Sequence, residues 1–268
     1  MIAAALTIAG SDPSGGAGIQ ADLKTFHQFG VYGEAALALL TVQNTLGVSA
    51  IELIPGRIIR QQMEAVLADI RPAAIKTGAL GGEEAIQIVA ELASGFECPL
   101  VVDPVMVSTS GHRLLAADAE RAMRDLLLPR CTLVTPNIAE AQILSGASIA
   151  DLQGAGRAAE QIGSFGVTAV LVKGGHLDDD ATDVLYLDGA LHHFPGKRIH
   201  TQHTHGSGCT YSAAITALLA KGYDLIPAIR SAKAFVQRAI ETAPGFGRGK
   251  GPLNHFASTA DDFTGASS

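Results

Sequence analysis

Along this chain, short runs that are apolar at every position alternate with longer stretches in which apolar residues recur every three or four. The first pattern predicts strands buried on both faces and the second amphipathic helices. Strands are predicted at residues 3–9, 35–42, 48–54, 73–76, 100–103, 133–135 and 169–173, with a hairpin at 183–187 and 191–194. Helices are predicted from the glycines at 15, 16 and 18 to 29, and at 57–70, 83–94, 116–127, 137–145, 153–165, 207–221 and 225–242. Such alternation predicts a three-layer α/β/α fold around a mostly parallel sheet. No linker, internal repeat or low-complexity run interrupts it, so residues 1–268 are read as one domain with an ordered core over 1–256.

The polar residues are not scattered. GSD at 10–12, QN at 43–44, KTG at 76–78, DPV at 103–105, TPN at 135–137 and KGG at 173–175 all follow predicted strands. Any one of them fits a turn, but in parallel sheets ligands bind beyond the carboxyl ends of the strands, where all six fall.

The stretch THGSGCTYSAA at 204–214 carries the most chemistry. Gly206, Ser207 and Gly208 open a helix whose unpaired first-turn amides and dipole form a seat for an anion. Cys209 projects there, either as a small buried hydrophobe or as a thiol whose proton is loosened by the same field. Asn137 and Glu140, three apart, fit a helix cap or a carboxylate holding water on a magnesium ion. Lys173, before two glycines, reaches either solvent or a phosphate. Asp22 is either a solvated helix residue or an acceptor for a ring amine, and Gln43 has both the donor and the acceptor to read the same ring. His200, His203 and His205 have no carboxylate or cysteine pair to complete a metal set, and no P-loop motif occurs. Asp178 to Asp180 read as a solvated turn.

Charge and cysteines narrow the partners. Nineteen basic against 26 acidic residues give a net charge of −7 with no basic cluster, which excludes a nucleic-acid or anionic-membrane footprint and leaves a small molecule as the expected ligand. Cys98, Cys131 and Cys209 lie far apart, as in a reducing compartment. The opening MIAAALTIAG lacks a basic flank and is too short to span a bilayer; it is read as a buried strand of a cytoplasmic protein.

Taken together, GSDPSGGAGIQADLKTF at 10–26, QNT at 43–45, KTG at 76–78, DPVMVSTSG at 103–111, TPNIAEA at 135–141, VLVKGGH at 170–176, THGSGCTYSAAI at 204–215 and GPLNHF at 251–256 resemble the bacterial hydroxymethylpyrimidine and phosphomethylpyrimidine kinases of thiamine biosynthesis, within the ribokinase-like superfamily. The resemblance implies two ATP- and Mg²⁺-dependent phosphorylations, of 4-amino-5-hydroxymethyl-2-methylpyrimidine and then of its monophosphate. By motif, Gly206, Ser207, Gly208 and Cys209 would form the anion hole with Cys209 as base. Asn137, Glu140 and Lys173 would serve the nucleotide and, through water on Glu140, the metal. Gly10, Asp22, Gln43, Ala79 and Val105 would line the pyrimidine pocket. Ser207 replaces the family's common threonine and keeps its hydroxyl, whereas Ala79 replaces a common methionine and leaves room for a bulkier pyridoxal-type ring. A pyridoxal or pyridoxine kinase of the same fold and a non-catalytic pyrimidine sensor are the alternatives. By analogy the chain is expected to form a homodimer, with residues 108–114 and 176–182 as candidate loops closing over ATP.

Overall fold

The computed structural model describes residues 2–106, 117–174 and 181–259. The proposed closing loop at 108–114, most of the one at 176–182 and the expected turn at 178–180 therefore lie outside the described residues.

Nine strands form one sheet in the order β3-β2-β1-β4-β5-β6-β7-β8-β9. β1 (Ala4–Ser11), β2 (Tyr32–Asn44), β4 (Ala74–Thr77), β5 (Leu100–Val102), β6 (Leu133–Val134) and β7 (Ala169–Val172) pair in parallel. β3 (Gly47–Leu53), β8 (Asp183–Leu187) and β9 (Ala190–Phe194) are antiparallel additions at the two edges. The expected hairpin turns at Asp188 and Gly189, both with positive φ, the backbone an Asp-Gly hairpin favours. Every residue of β4 to β7 is buried, because helices cover both faces.

On one face lie α1 (Gly18–Gln28), α7 (Ser207–Ala220) and α8 (Leu225–Glu241), joined by an edge-on contact of Phe29 with Phe235 at 5.0 Å. On the other lie α2 (Gly56–Asp69), α3 (Glu83–Ala93), α4 (Ala117–Ala122), α5 (Ile138–Ser145) and α6 (Leu152–Gly163), packed on Ile8, Ile75 and Val102. The helix expected to run to 127 instead ends as α4, followed by a π turn at Met123–Leu127 and a 3₁₀ turn at Leu128–Arg130, where Pro129 removes an amide. β2 begins three residues earlier than expected. Its pairing with β1 carries Gly33 and Glu34 into the sheet despite their weak strand preference. Among the described residues no helix is long and apolar enough to cross a membrane.

Glu34 is the costly consequence of that register. It stands opposite Leu6, is 8% exposed, and its Oε2 has no hydrogen-bond partner. Burial pushes its carboxyl up to about 7. The native state thus binds a proton more tightly than the unfolded chain, so this group makes stability fall as pH rises from the unfolded carboxylate range through about 7. Glu34→Gln removes that penalty. It is expected to match the parent near pH 4.5 and to exceed it by on the order of 1–2 kcal/mol at pH 8, in urea titrations at both values. An unchanged difference across that range would show that Glu34 does not carry the charge cost.

Candidate active site

The polar strand ends meet where three backbone features converge: the start of α1, the start of α7 and Lys173 with Gly174 at the end of β7. α1 opens at Gly18, whose φ of +58° and close approach to the Gly10 carbonyl leave no room for a side chain. α7 opens behind Gly206, at φ 81° and ψ 9°, where a Cβ would come within 1.8 Å of the Gly16 carbonyl oxygen. Glycine at 206 thus lets the first loop press against the mouth of α7. Thr210 N–H bonds the Gly206 carbonyl at 2.8 Å, while the first-turn amides of Gly208 and Cys209 precede any carbonyl a helix could offer them.

A charged pair faces this mouth. Lys173 Nζ donates to Asp103 Oδ1 at 3.0 Å, with the lysine side chain 14% exposed and the aspartate 2%. A Cβ on Gly208 would lie 3.2 Å from Lys173 Nζ and 3.6 Å from Asp103 Oδ2, so the ammonium sits directly against the α7 opening. The Asp103 and Glu140 charges outweigh burial and hold Lys173 above its ordinary range, hence positive. Ordinary backbone pairing puts it there: Lys173 N–H bonds Pro136 O at 2.8 Å, bridging β7 to the residue before α5.

Asn137 and Glu140 form a complete capping box, Glu140 N–H to Asn137 Oδ1 at 3.0 Å and Asn137 N–H to Glu140 Oε2 at 2.8 Å. Glu140 is also 5% exposed and faces the Lys173–Asp103 pair. Burial, with Asp103 adding to it, pushes its carboxyl up to about 7 against the pull of Lys173 and the amides of Asn137 and Met106. Capping and a charge facing Lys173 thus coexist in one side chain.

Cys209 corrects an expectation. The thiol is raised to about 12: burial is the main cause, and the charges of Asp22 and Asp103 add to it, outweighing Lys76 and the Gly18 amide. Cys209 is half-buried, and the field of one helix opening does not offset its partial loss of solvent together with the two carboxylates.

Below Cys209 lies a pair that the sequence did not disclose. Lys76 Nζ donates to Asp22 Oδ1 at 2.7 Å and Thr7 Oγ1 to Asp22 Oδ2 at 2.6 Å, with both charged side chains 0% exposed. Asp22 is thus neither solvated nor on the cleft surface but one layer beneath it. Burial opposes the charge on Lys76, yet Asp22 raises it above its usual range. Loss of one partner alone from such a pair costs about 3–5 kcal/mol.

The first loop is fixed by Asp12, whose Oδ1 accepts Ser14 N–H and Oγ and whose Oδ2 accepts Ala17 N–H at 2.9 Å and lies 2.8 Å from His205 Nε2. The Gln43 amide nitrogen lies 3.1 Å from the same His205 nitrogen, which joins β2 to the residue before Gly206. Gly10 is packed against Leu39. Ala79 and Val105, both half-buried, follow β4 and β5 at the same end of the sheet. Among the described residues no group of three or more His, Cys, Asp or Glu side chains could hold a metal. Mg²⁺ retains waters and nucleotide oxygens and needs few protein ligands, so Glu140 beside Lys173 fits a water-mediated role.

Sequence reasoning singled out Lys173, Glu140 and the α7 opening, and the fold brings them together. It did not single out Asp103, Lys76 or Asp12, whose signal was their place in strand-end motifs, and it weighed His205 only as a metal ligand and not as a partner of Asp12.

This arrangement, an anion seat faced by a lysine and buried carboxylates, suits transfer of a phosphoryl group. Residues 12–254 match the family described as phosphomethylpyrimidine kinase. A hydroxymethylpyrimidine/phosphomethylpyrimidine kinase of Rhizobium meliloti is 48% identical over 260 residues, covering 96% of this chain and 98% of the relative. Among solved structures, phosphomethylpyrimidine kinase from Clostridium difficile superposes with a TM-score of 0.80 at 41% identity, covering 89% and 99% of the two chains. Pyridoxal kinase from Staphylococcus aureus, in complex with AMP-PCP and pyridoxal, gives 0.88 at 37% identity, covering 96% and 95%. The chain is a phosphotransferase that belongs to the phosphomethylpyrimidine kinase family.

Proposed function

We propose that this chain transfers the γ-phosphoryl group of ATP to the hydroxymethyl oxygen of 4-amino-5-hydroxymethyl-2-methylpyrimidine and then to the monophosphate so formed, in thiamine diphosphate biosynthesis. The observation that carries this reading is the contact of Lys173 and Asp103 with the opening of α7, within a chain of this family. Phosphoryl transfer asks a protein mainly for positioning and charge neutralisation. The amides of Gly206 to Cys209 receive the transferred group, Lys173 leaves Asp103 for the nucleotide phosphates, and Asn137 fixes Glu140, whose carboxylate would hold water on Mg²⁺. A bound Mg²⁺ would neutralise phosphate charge. Gln43, Gly10, Val105 and Ala79 border the acceptor ring, with Asp22 beneath them. The chain is taken as a cytoplasmic homodimer. The exposed Leu40 and Val42, on one face of β2, favour pairing, which sedimentation equilibrium tests: a monomer at micromolar concentration would contradict it.

The two steps differ in their need for a base. An alcohol must lose a proton, whereas a phosphate monoester with a second pKa of about 6 is already an anion at neutral pH. We assign the base role to Cys209. The resting site opposes ionisation of the thiol, so this role requires ligand binding to rebalance the charges around Asp22 and Asp103. Cys209→Ala is expected to slow single turnover of the alcohol by about 100-fold or more and that of the monophosphate by less than about fivefold. Equal losses would leave Cys209 as a positioning residue.

Pyridoxal phosphorylation is the second reading, favoured by the S. aureus neighbour and by the half-buried Ala79, whose small side chain leaves room at the ring. With both acceptors under one ATP concentration, kcat/KM is expected to favour the pyrimidine by about tenfold or more, the discrimination that polar ring contacts provide. A preference for pyridoxal would reverse the assignment of the acceptor while leaving the phosphoryl site intact.

A further inference from the structure

Behind Lys173 lies a further buried charge cluster, away from the reacting atoms. Asp183, the first residue of β8, is 4% exposed and accepts three donors. Its Oδ1 takes Gly174 N–H at 2.9 Å; its Oδ2 takes the Tyr211 hydroxyl at 2.9 Å and Lys233 Nζ at 2.7 Å. Lys233, on α8, also donates to the Ala181 carbonyl at 2.6 Å. The three donors come from three places, the peptide after Lys173, α7 and α8, and Lys233 ties in the segment leading into β8 through the Ala181 carbonyl. Gly174 has no alternative seat, because a Cβ there would meet the Thr182 carbonyl oxygen at 1.7 Å.

We infer that Asp183 is a positioning residue for the nucleotide, fixing Lys173 relative to the opening of α7 through Gly174 and Tyr211. The lysine peptide is held on both sides, by Pro136 O through its own N–H and by Asp183 through the next one. Tyr211 is two residues beyond Cys209 on α7, so the carboxylate that pins the Lys173 peptide also pins the helix whose amides would share the same phosphate. An ammonium and a row of amides serve one phosphoryl group only if their separation is fixed, and errors of about 1 Å cost orders of magnitude in rate. Lys233 compensates the buried carboxylate, and Tyr211, raised well above the usual phenol range by burial and by Asp183, stays a donor.

The inference rests on the assignment of Lys173 to the nucleotide phosphates, and Lys173→Met tests that assignment separately. An unchanged KM for ATP in that variant would remove the assignment and the inference with it. Two double variants then isolate Asp183. In Asp183→Asn with Lys233→Met the cluster is uncharged, yet an oxygen still faces Gly174 N–H; in Asp183→Val with Lys233→Met that oxygen is gone. Both lose the bond from Lys233 to Ala181, so they differ mainly in the hold on Gly174 and Tyr211. The first is expected to keep the KM for ATP within about threefold of the parent, the second to raise it about tenfold, with the acceptor KM within about twofold in each, assayed well below the melting temperature of either. Equal ATP KM values in the two doubles would overturn the inference. So would parallel losses for ATP and acceptor, the mark of a merely structural role. Should the valine variant fail to fold, Tyr211→Phe decides: it removes one hydroxyl and is expected to raise the KM for ATP about threefold with the acceptor KM unchanged, and an unaltered KM for ATP would refute the proposal.

Discussion

The Lys173 ammonium, 3.0 Å from Asp103 and pressed against Gly208, is the charge around which the carboxyl end of the sheet is arranged. A lysine at that depth stays protonated only beside compensating carboxylates, and Asp103 and Glu140 supply them from the neighbouring strand ends. Their placement follows from parallel pairing. β5, β6 and β7 lie side by side, so the residues after each emerge together: Asp103 after β5, Asn137 and Glu140 beyond β6, and Lys173 after β7. The same geometry brings the start of α7 over them, with Gly206 clearing the Gly16 carbonyl that any side chain would strike and Gly208 leaving the ammonium unobstructed.

A second opposed pair, Lys76 with Asp22, lies under the other half of the mouth. Its members are fully buried, nearly neutral as a unit, and too deep to be solvated. Cys209 lies beside both pairs, and its ionisation answers to the charges of Lys76, Asp22 and Asp103. The thiol's high resting pKa is therefore a property of the whole arrangement and not of the helix that bears it. A site organised in this way holds its charges in reserve: each ion already has a partner, and an incoming phosphate must compete for Lys173 with Asp103.

Much of this was legible from the chain. Fully apolar runs such as LVV and AVLV read as interior strands, and the polar residues after them as one end of a parallel sheet. The glycines flanking Ser207 marked a tight turn at the start of α7, and Gly206 does adopt a positive φ against the first loop. What escaped were relations between distant residues. Asp12 meets His205 across 193 positions, and Lys76 meets Asp22 across 54; no local spacing announces either. The upward shift of the Cys209 thiol is not legible either, because a sequence displays the helix opening beside the thiol but not the partial burial and the nearby carboxylates of Asp22 and Asp103. The irregular end of α4 and the early start of β2 escaped for a related reason, tertiary packing prevailing over local preference.

The claim beneath all of this is that a phosphoryl group takes the place of Asp103 at Lys173 and rests on the amides that open α7. A crystal structure with a non-hydrolysable ATP analogue and Mg²⁺ tests it most directly. The terminal phosphate should lie within about 3 Å of Lys173 Nζ and of the Gly208 and Cys209 amides, with the bond from Lys173 to Asp103 lengthened or broken. A nucleotide whose phosphates lie elsewhere, with that bond intact and the mouth of α7 filled only by water, would contradict the account.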